Sequence, residues 1–175
     1  ENGKPAVEFD GSNDYLNSNT IPISGYPFTI IDVSNPEGSN PKFVVSLADS
    51  TVGNKVFAHL YNSQDIENQI MARNTAVYRD GASYVNGNQY LSFLDFASST
   101  SQSIFQDGVL GAELSTTTPY FSPNRFTIGY SLDSTPSDPM QGLIQEVIVY
   151  PSDQDAAGNR TGIETNIATF YDITI

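Results

Sequence analysis

Apolar residues in this chain come in short runs, and turn-forming residues separate one run from the next. Residues 28–33, 43–47 and 56–61 are three such runs, and Gly, Pro, Asn, Asp or Ser follows each of them within two residues. Runs of about four to eight residues suit β-strands, whereas a helix needs at least about ten. Strand-length runs at this spacing predict an all-β sandwich or barrel.

The composition also fits strands and loops better than helices. Charged residues make up 15% of the chain, so Ser, Thr, Asn and Gln must form most of the polar surface, whereas Lys, Glu and Ala commonly fill helix surfaces. Ten Phe and ten Tyr supply large rings for a core. A chain of 175 residues can bury a sizeable core, and we expect residues 1–175 to form one domain. The chain has no cysteine, which excludes disulfides and thiolate metal sites.

The charge balance restricts the partners. The formal net charge is −13, from 20 acidic and 7 basic residues, so we expect neither nucleic-acid binding nor docking to anionic lipid. The apolar runs are too short to span a bilayer, which predicts no membrane insertion. The acidic residues have two interpretations: they keep the surface soluble, or some of them cluster in loops and bind Ca²⁺, which prefers oxygen ligands.

Turn motifs predict which strands pair. Asp10–Gly11 and Asp107–Gly108 each lie between apolar runs, a strong hairpin signal because Gly accepts a positive φ. Residues 56–61 and 69–73 are expected to pair with each other around the polar loop 63–65.

The C-terminal segment has a different periodicity. Residues 162–171 carry apolar side chains at helical spacing: Ile163, Ile167 and Phe170. Thr161 is a suitable N-cap, and Glu164 stands three residues later as its capping-box partner. We therefore predict one short C-terminal helix packed on the sandwich.

Four segments, taken in order, resemble the laminin G-like jelly-roll family of the concanavalin A-like superfamily. Residues 7–16 (VEFDGSNDYL) are similar to the opening hairpin of that family, and residues 28–31 (FTII) to the strand after it. Residues 106–110 (QDGVL) resemble its middle hairpin, and residues 141–150 (QGLIQEVIVY) its closing strand. The family usually has a Trp before the strand at residues 90–96, and this chain has none.

The resemblance implies a two-sheet antiparallel jelly-roll sandwich with one concave sheet and ligand loops at one rim. It leaves function open, because this fold serves lectins, adhesion modules, glucanases and viral fibre tips.

Catalysis is not expected. Glycosidases of this fold place carboxylates at alternate positions of one strand, and Asp65–Ile66–Glu67 comes nearest to that pattern but lacks the third acidic residue. The single histidine, His59, alternates with Phe57 and Tyr61 and has no nucleophile motif beside it. We predict that the protein is not an enzyme.

Calcium is the one cofactor that the sequence suggests. A long acidic loop, residues 128–142, precedes the closing strand, and Asp133 and Asp138 are its candidate ligands. The resemblance to pentraxin-like proteins implies that a further acidic residue from an earlier loop, here Asp49, completes such a site. The alternative is that Asp, Ser and Pro simply form turns in this loop.

Sugar binding is the functional expectation. A sugar needs an aromatic ring for its apolar face and amide, carboxylate or guanidinium groups for its hydroxyls. Candidates at strand ends and loops are Tyr61, Asn62, Arg73, Tyr78 and Tyr130.

We therefore expect a surface-recognition module for a glycan or host-surface polysaccharide, or for cell adhesion, outside the cell and within a larger chain or assembly. The competing interpretation is a structural or attachment domain of a phage fibre, tail or capsid decoration protein, located on the virion surface and without a sugar site.

Overall fold

The computed structural model describes residues 2–62, 66–74, 78–156 and 158–175. Within them, twelve strands form two six-stranded antiparallel sheets, and one helix follows. This confirms the predicted two-sheet jelly roll with a C-terminal helix. The elements are β1 Val7–Asp10, β2 Leu16–Ser18, β3 Phe28–Pro36, β4 Lys42–Ala48, β5 Lys55–Asn62, β6 Glu67–Asn74, β7 Tyr78–Ser83, β8 Tyr90–Ser98, β9 Ser101–Gln106, β10 Val109–Leu114, β11 Arg125–Ile128, β12 Gln141–Tyr150 and α1 Arg160–Tyr171.

Non-consecutive strands lie side by side in both sheets, as a jelly roll requires. The first sheet has the order β1-β12-β3-β8-β9-β10, and the second has the order β2-β11-β4-β5-β6-β7. We call the face of the second sheet that is turned away from the first sheet its outer face.

Aromatic rings fill the space between the sheets. Phe28 stacks on Phe96 within the first sheet, with ring centroids 4.5 Å apart. Phe57 of the second sheet meets the Phe28 and Phe96 rings edge to face and stacks on Phe121 at 4.6 Å. All four rings are buried, so this cluster supplies much of the apolar burial that holds the sheets together.

A network of polar side chains also lies between the two sheets, next to this aromatic cluster. Asp32 of β3 and His59 of β5 are both fully buried, and Asp32 Oδ2 lies 2.7 Å from His59 Nδ1. Ser34 Oγ donates to Asp32 Oδ1 at 2.7 Å and lies 3.1 Å from the Tyr61 hydroxyl. Burial raises the pKa of the Tyr61 phenol well above its usual value, so the phenol stays protonated.

The structure confirms most of the predicted strand pairs and corrects one. β9 and β10 form the hairpin expected around Asp107–Gly108, and β5 pairs with β6 along its whole length. The expected hairpin around Asp10–Gly11 is wrong, because β1 pairs with β12 and β2 with β11, in different sheets. The Asp-Gly turn is present, with Gly11 at φ +80°, but here it carries the chain from one sheet to the other.

The predicted helix exists, but its start and its buried face differ from the prediction. The N-cap residue is Asn159, not Thr161. Glu164 is buried and pairs with Arg160 at 2.8 Å instead of closing a capping box. Ile167, Ala168 and Tyr171 are buried against the first sheet, whereas Phe170 is 54% exposed.

None of the described helices is long and apolar enough to cross a membrane.

Candidate functional site

Two tyrosines form an exposed aromatic pair beside the second sheet. Tyr15 directly precedes β2, and Tyr130 follows β11 by two residues. Their rings stack with centroids 5.6 Å apart and an angle of 16° between the planes. Tyr15 is 47% exposed and Tyr130 is half-buried. The pair therefore presents an apolar surface with hydroxyl groups at its margin.

Strand alternation directs this pair to the outer face of the second sheet. Phe126 and Ile128 of β11 pack into the interior, so Thr127 between them faces outward. Asn17 of β2 is the cross-strand partner of Thr127 and is exposed. Tyr15 lies two residues before Asn17 and thus on the same face.

Polar groups extend along the same face from the tyrosines. Asn17 supplies an exposed amide, and Thr127 has a buried hydroxyl without a hydrogen-bond partner. Arg125 lies at the far end of β11, half-buried, and donates to the Asn124 carbonyl at 2.8 Å. We call Tyr15, Tyr130 and Asn17 the tyrosine surface.

The loop that carries Tyr130 folds back over the outer face of the second sheet. The Tyr130 carbonyl accepts from Ser46 Oγ at 2.9 Å, and the Asp138 carbonyl accepts from the Phe43 amide at 3.0 Å. Asp133 Oδ2 accepts from the Asn54 amide at 2.8 Å, beyond the opposite end of β4. This cover explains why outward-facing residues such as Ala58 are buried.

The three predicted metal ligands have other hydrogen-bond partners. Asp133 Oδ1 accepts from the Thr135 amide and hydroxyl, and Asp49 Oδ1 accepts from the same two groups of Thr51. Asp138 Oδ2 accepts from Ser137 Oγ. In the part of the chain that the structure describes, no group of three or more His, Cys, Asp or Glu residues could hold a metal ion. These contacts fit a turn-forming role better than a Ca²⁺ site.

Calcium binding thus stays a prediction, and a thermal melt tests it. A site with a dissociation constant a hundredfold below the Ca²⁺ concentration would stabilise the fold by about 2.7 kcal/mol. The melting temperature would then rise by several degrees in Ca²⁺ relative to EDTA, and Asp133→Asn would abolish the rise. Identical melting temperatures in Ca²⁺ and EDTA would exclude a site of that affinity.

Two of the predicted sugar ligands lie close together at the end of β5. Tyr61 was expected at the rim, but it is fully buried and packs against Tyr84 at 4.7 Å. Its position on β5 alternates with Ala58 and Leu60, which face outward, so its ring points into the interior. Asn62, the next residue, is half-buried.

Arg73 and Tyr78 lie on neighbouring strands away from Tyr130. Arg73 is on β6 and pairs with Val56, and Tyr78 is on β7 and pairs with Met71. β7 was not predicted as a strand. The structure does not describe the side chains of these two residues, and their roles stay predictions.

A concavity lies on the opposite side of the molecule from the tyrosine surface, between α1 and β12. It has a volume of about 1420 Å³, and Glu146, Tyr150, Asn166 and Phe170 are among its lining residues. The Lys4 ammonium lies 4.0 Å from the centre of the Phe170 ring and covers one ring face. The tyrosine surface is therefore the better candidate for stacking against a sugar.

Sequence reasoning found one half of the exposed pair and missed the other. Tyr130 was a predicted ligand. Tyr15 was assigned to the opening hairpin, where nothing in the sequence shows that β2 joins the strand leading to Tyr130. The available signal was the aromatic residue directly after the turn-forming pair Asn13–Asp14, because side chains at turns tend to lie on the surface.

No family model and no curated protein matches this sequence. Solved structures do match. The CBM40 domain of the Ruminococcus gnavus IT-sialidase, bound to α2,3-sialyllactose, superposes with a TM-score of 0.72 and is 18% identical in sequence. The similarity covers 86% of this chain and 91% of that one.

Two further structures have the same architecture. A heptameric SAP-like pentraxin from Limulus polyphemus has a TM-score of 0.69 at 11% identity, covering 87% of this chain and 78% of that one. The NanB sialidase of Streptococcus pneumoniae has a TM-score of 0.69 at 12% identity, covering 88% of this chain but 27% of that one. The similarities establish a concanavalin A-like jelly-roll fold. The narrower laminin G assignment stays a prediction.

Proposed function

We propose that this chain is a non-catalytic carbohydrate-binding module whose glycan lies against the Tyr15–Tyr130 pair. The observation that carries the proposal is the exposed ring stack itself. The two rings form a flat apolar platform at the surface, and a pyranose ring offers the matching apolar C–H face.

The neighbouring polar groups supply what a sugar also needs. Asn17 is exposed, and its amide can donate to one sugar hydroxyl and accept from another. The tyrosine hydroxyls lie at the edge of the same surface. A few polar groups around an aromatic platform are typical of small-ligand sites.

The structural neighbours support the same class of ligand. The CBM40 domain is described in complex with sialyllactose, and that similarity favours a glycan over other ligands for this chain. Sialidase domains and a pentraxin do not support the alternative of a phage attachment domain. Cell adhesion, an extracellular location and attachment to a larger chain stay predictions.

Alanine substitutions in the tyrosine pair test the proposal. A glycan array identifies bound sugars, and calorimetry then gives the dissociation constant for the strongest one. We expect Tyr15→Ala and Tyr130→Ala each to weaken binding by about tenfold or more, the effect of losing a central aromatic contact.

Phe170→Ala is the matched control, since it removes an exposed aromatic ring from the opposite side of the molecule. It should leave glycan affinity unchanged. Equal losses in Phe170→Ala and Tyr15→Ala would place the glycan elsewhere, and an array with no bound glycan would contradict the proposed function.

A further inference from the structure

The two segments that build the tyrosine surface contain no cation. Residues 5–41, which include Tyr15, and residues 126–159, which include Tyr130, have no Lys, Arg or His. Both segments are acidic: Asp10 and Asp14 belong to the first, and Asp133 and Asp138 to the second.

Two of these carboxylates, on Asp10 and Asp14, belong to the turn that precedes Tyr15. Asp14 is the neighbour of Tyr15 in sequence, and its Oδ2 accepts from the Asp10 amide at 3.1 Å. The amide of Gly11 donates to the Met140 carbonyl at 2.9 Å, which joins the two acidic loops beside the ring stack. The surroundings of the tyrosine surface are therefore negative.

Three cationic side chains in the described part of the chain make contacts away from the tyrosine surface. Lys42 is buried and donates to the Asn40 and Gly38 carbonyls. Arg160 binds Asp155 and Glu164 below the helix, and Lys4 lies over the Phe170 ring. The only histidine is buried against Asp32.

The backbones of the remaining cationic residues lie away from the tyrosines. Lys55, Arg73 and Arg79 are on β5, β6 and β7, which lie two, three and four strands from β11. At about 4.8 Å per strand these backbones are about 10, 14 and 19 Å away. Arg125 lies three residues before Ile128 on β11, or about 10 Å along the strand. Charges act over about 8 Å at physiological ionic strength.

We infer that the tyrosine surface, taken as the glycan site proposed above, selects uncharged sugars and disfavours acidic ones. An anionic sugar placed there would meet the Asp10 and Asp14 carboxylates, whereas the cation on the same face of β11, Arg125, has its guanidinium on the Asn124 carbonyl at the far end of the strand. This would distinguish the chain from the structurally similar CBM40 domain, which is described with a sialylated ligand.

Matched glycans test the selectivity. An array carrying neutral glycans and their sialylated or uronate-bearing counterparts identifies a neutral sugar that binds, and calorimetry compares the two members of its pair. At about 150 mM NaCl we expect the acidic member to bind at least about fivefold more weakly. The difference should shrink at about 500 mM NaCl, because salt screens the repulsion.

Asp14→Asn provides the charge control. The amide oxygen can still accept from the Asp10 amide, so the turn is retained while one negative charge beside Tyr15 is removed. The variant should raise the affinity for the acidic member relative to the neutral one at about 150 mM NaCl. An unchanged ratio would contradict an electrostatic origin.

The outcomes separate this inference from the proposed function. If acidic glycans bind as tightly as their neutral counterparts, and Tyr15→Ala weakens both, the selectivity is wrong and the proposed function stands. If no glycan of either kind binds, the proposed function fails and the selectivity fails with it.

Discussion

Replacing His59 by leucine should lower the free energy of unfolding by about 3–5 kcal/mol, the cost of leaving a buried charged group without its partner. Asp32 and His59 are both fully buried and lie 2.7 Å apart between the two sheets. Among the side chains that the structure describes, only the Ser34 hydroxyl would still donate to the Asp32 carboxylate in the variant. Urea denaturation monitored by circular dichroism measures the change.

The double variant Asp32→Leu/His59→Leu separates the lost pairing from the change in packing. With both polar groups gone, no buried carboxylate remains uncompensated, and such replacements are often neutral or stabilising. We expect the double variant to be clearly more stable than His59→Leu. If the two variants are equally unstable, or the double variant is worse, the destabilisation comes from shape rather than from the unpaired charge.

The sequence predicted the layers of this fold because each strand carries its own signal. Alternation at residues 56–61 identified β5 and placed Phe57, His59 and Tyr61 on one face, and all three are buried. The turn at Asp107–Gly108 identified a hairpin because both of its strands are local in sequence. The ordered resemblance to a jelly roll then predicted the two sheets.

Local sequence signals could not predict which strands pair when they are far apart in the chain. The Asp10–Gly11 turn has the same residues as Asp107–Gly108, yet its two strands belong to different sheets. The residues in and beside a turn do not determine which distant strands its two flanking strands pair with. The missing information is the position of β11 beside β2, and that pairing is also what brings Tyr15 to Tyr130.

The site was predicted least well where burial decides the role of a residue. Tyr61 and Tyr130 look alike in sequence, because each follows an apolar strand and precedes a polar loop. Tyr61 completes the inward alternation of β5 and forms part of the interior network. Tyr130 lies beyond the end of β11, where the chain leaves the sheet and its ring reaches the surface.

Raising the pH from about 5 to about 8 should destabilise the protein through Asp95. This residue is on β8, only 3% exposed, and Thr29 Oγ1 lies 3.0 Å from its Oδ1. Burial, together with the nearby charges of Asp153 and Asp155, raises the pKa of the Asp95 carboxyl to about 7. A carboxyl whose pKa is higher in the folded state binds its proton more tightly there than in the unfolded chain. Its contribution to stability is full below about pH 4, the ordinary pKa of an aspartate, and is lost as the pH rises from there through about 7.

Asp95→Asn should remove this dependence, because the amide stays neutral and its Oδ1 can keep the contact with Thr29. At pH 8 the variant should be more stable than the parent by on the order of 2 kcal/mol, a value reduced from the full shift because the neighbouring pocket is open to solvent. At about pH 4, the ordinary pKa of an aspartate, the two proteins should be nearly equal, and the difference should grow up to about pH 7. Denaturant titrations at several pH values measure the difference, with Asp172→Asn, an exposed aspartate, as the control for net charge. If Asp95→Asn shifts stability by the same amount at every pH, Asp95 acts only through its hydrogen bond and its carboxyl does not titrate near neutral pH.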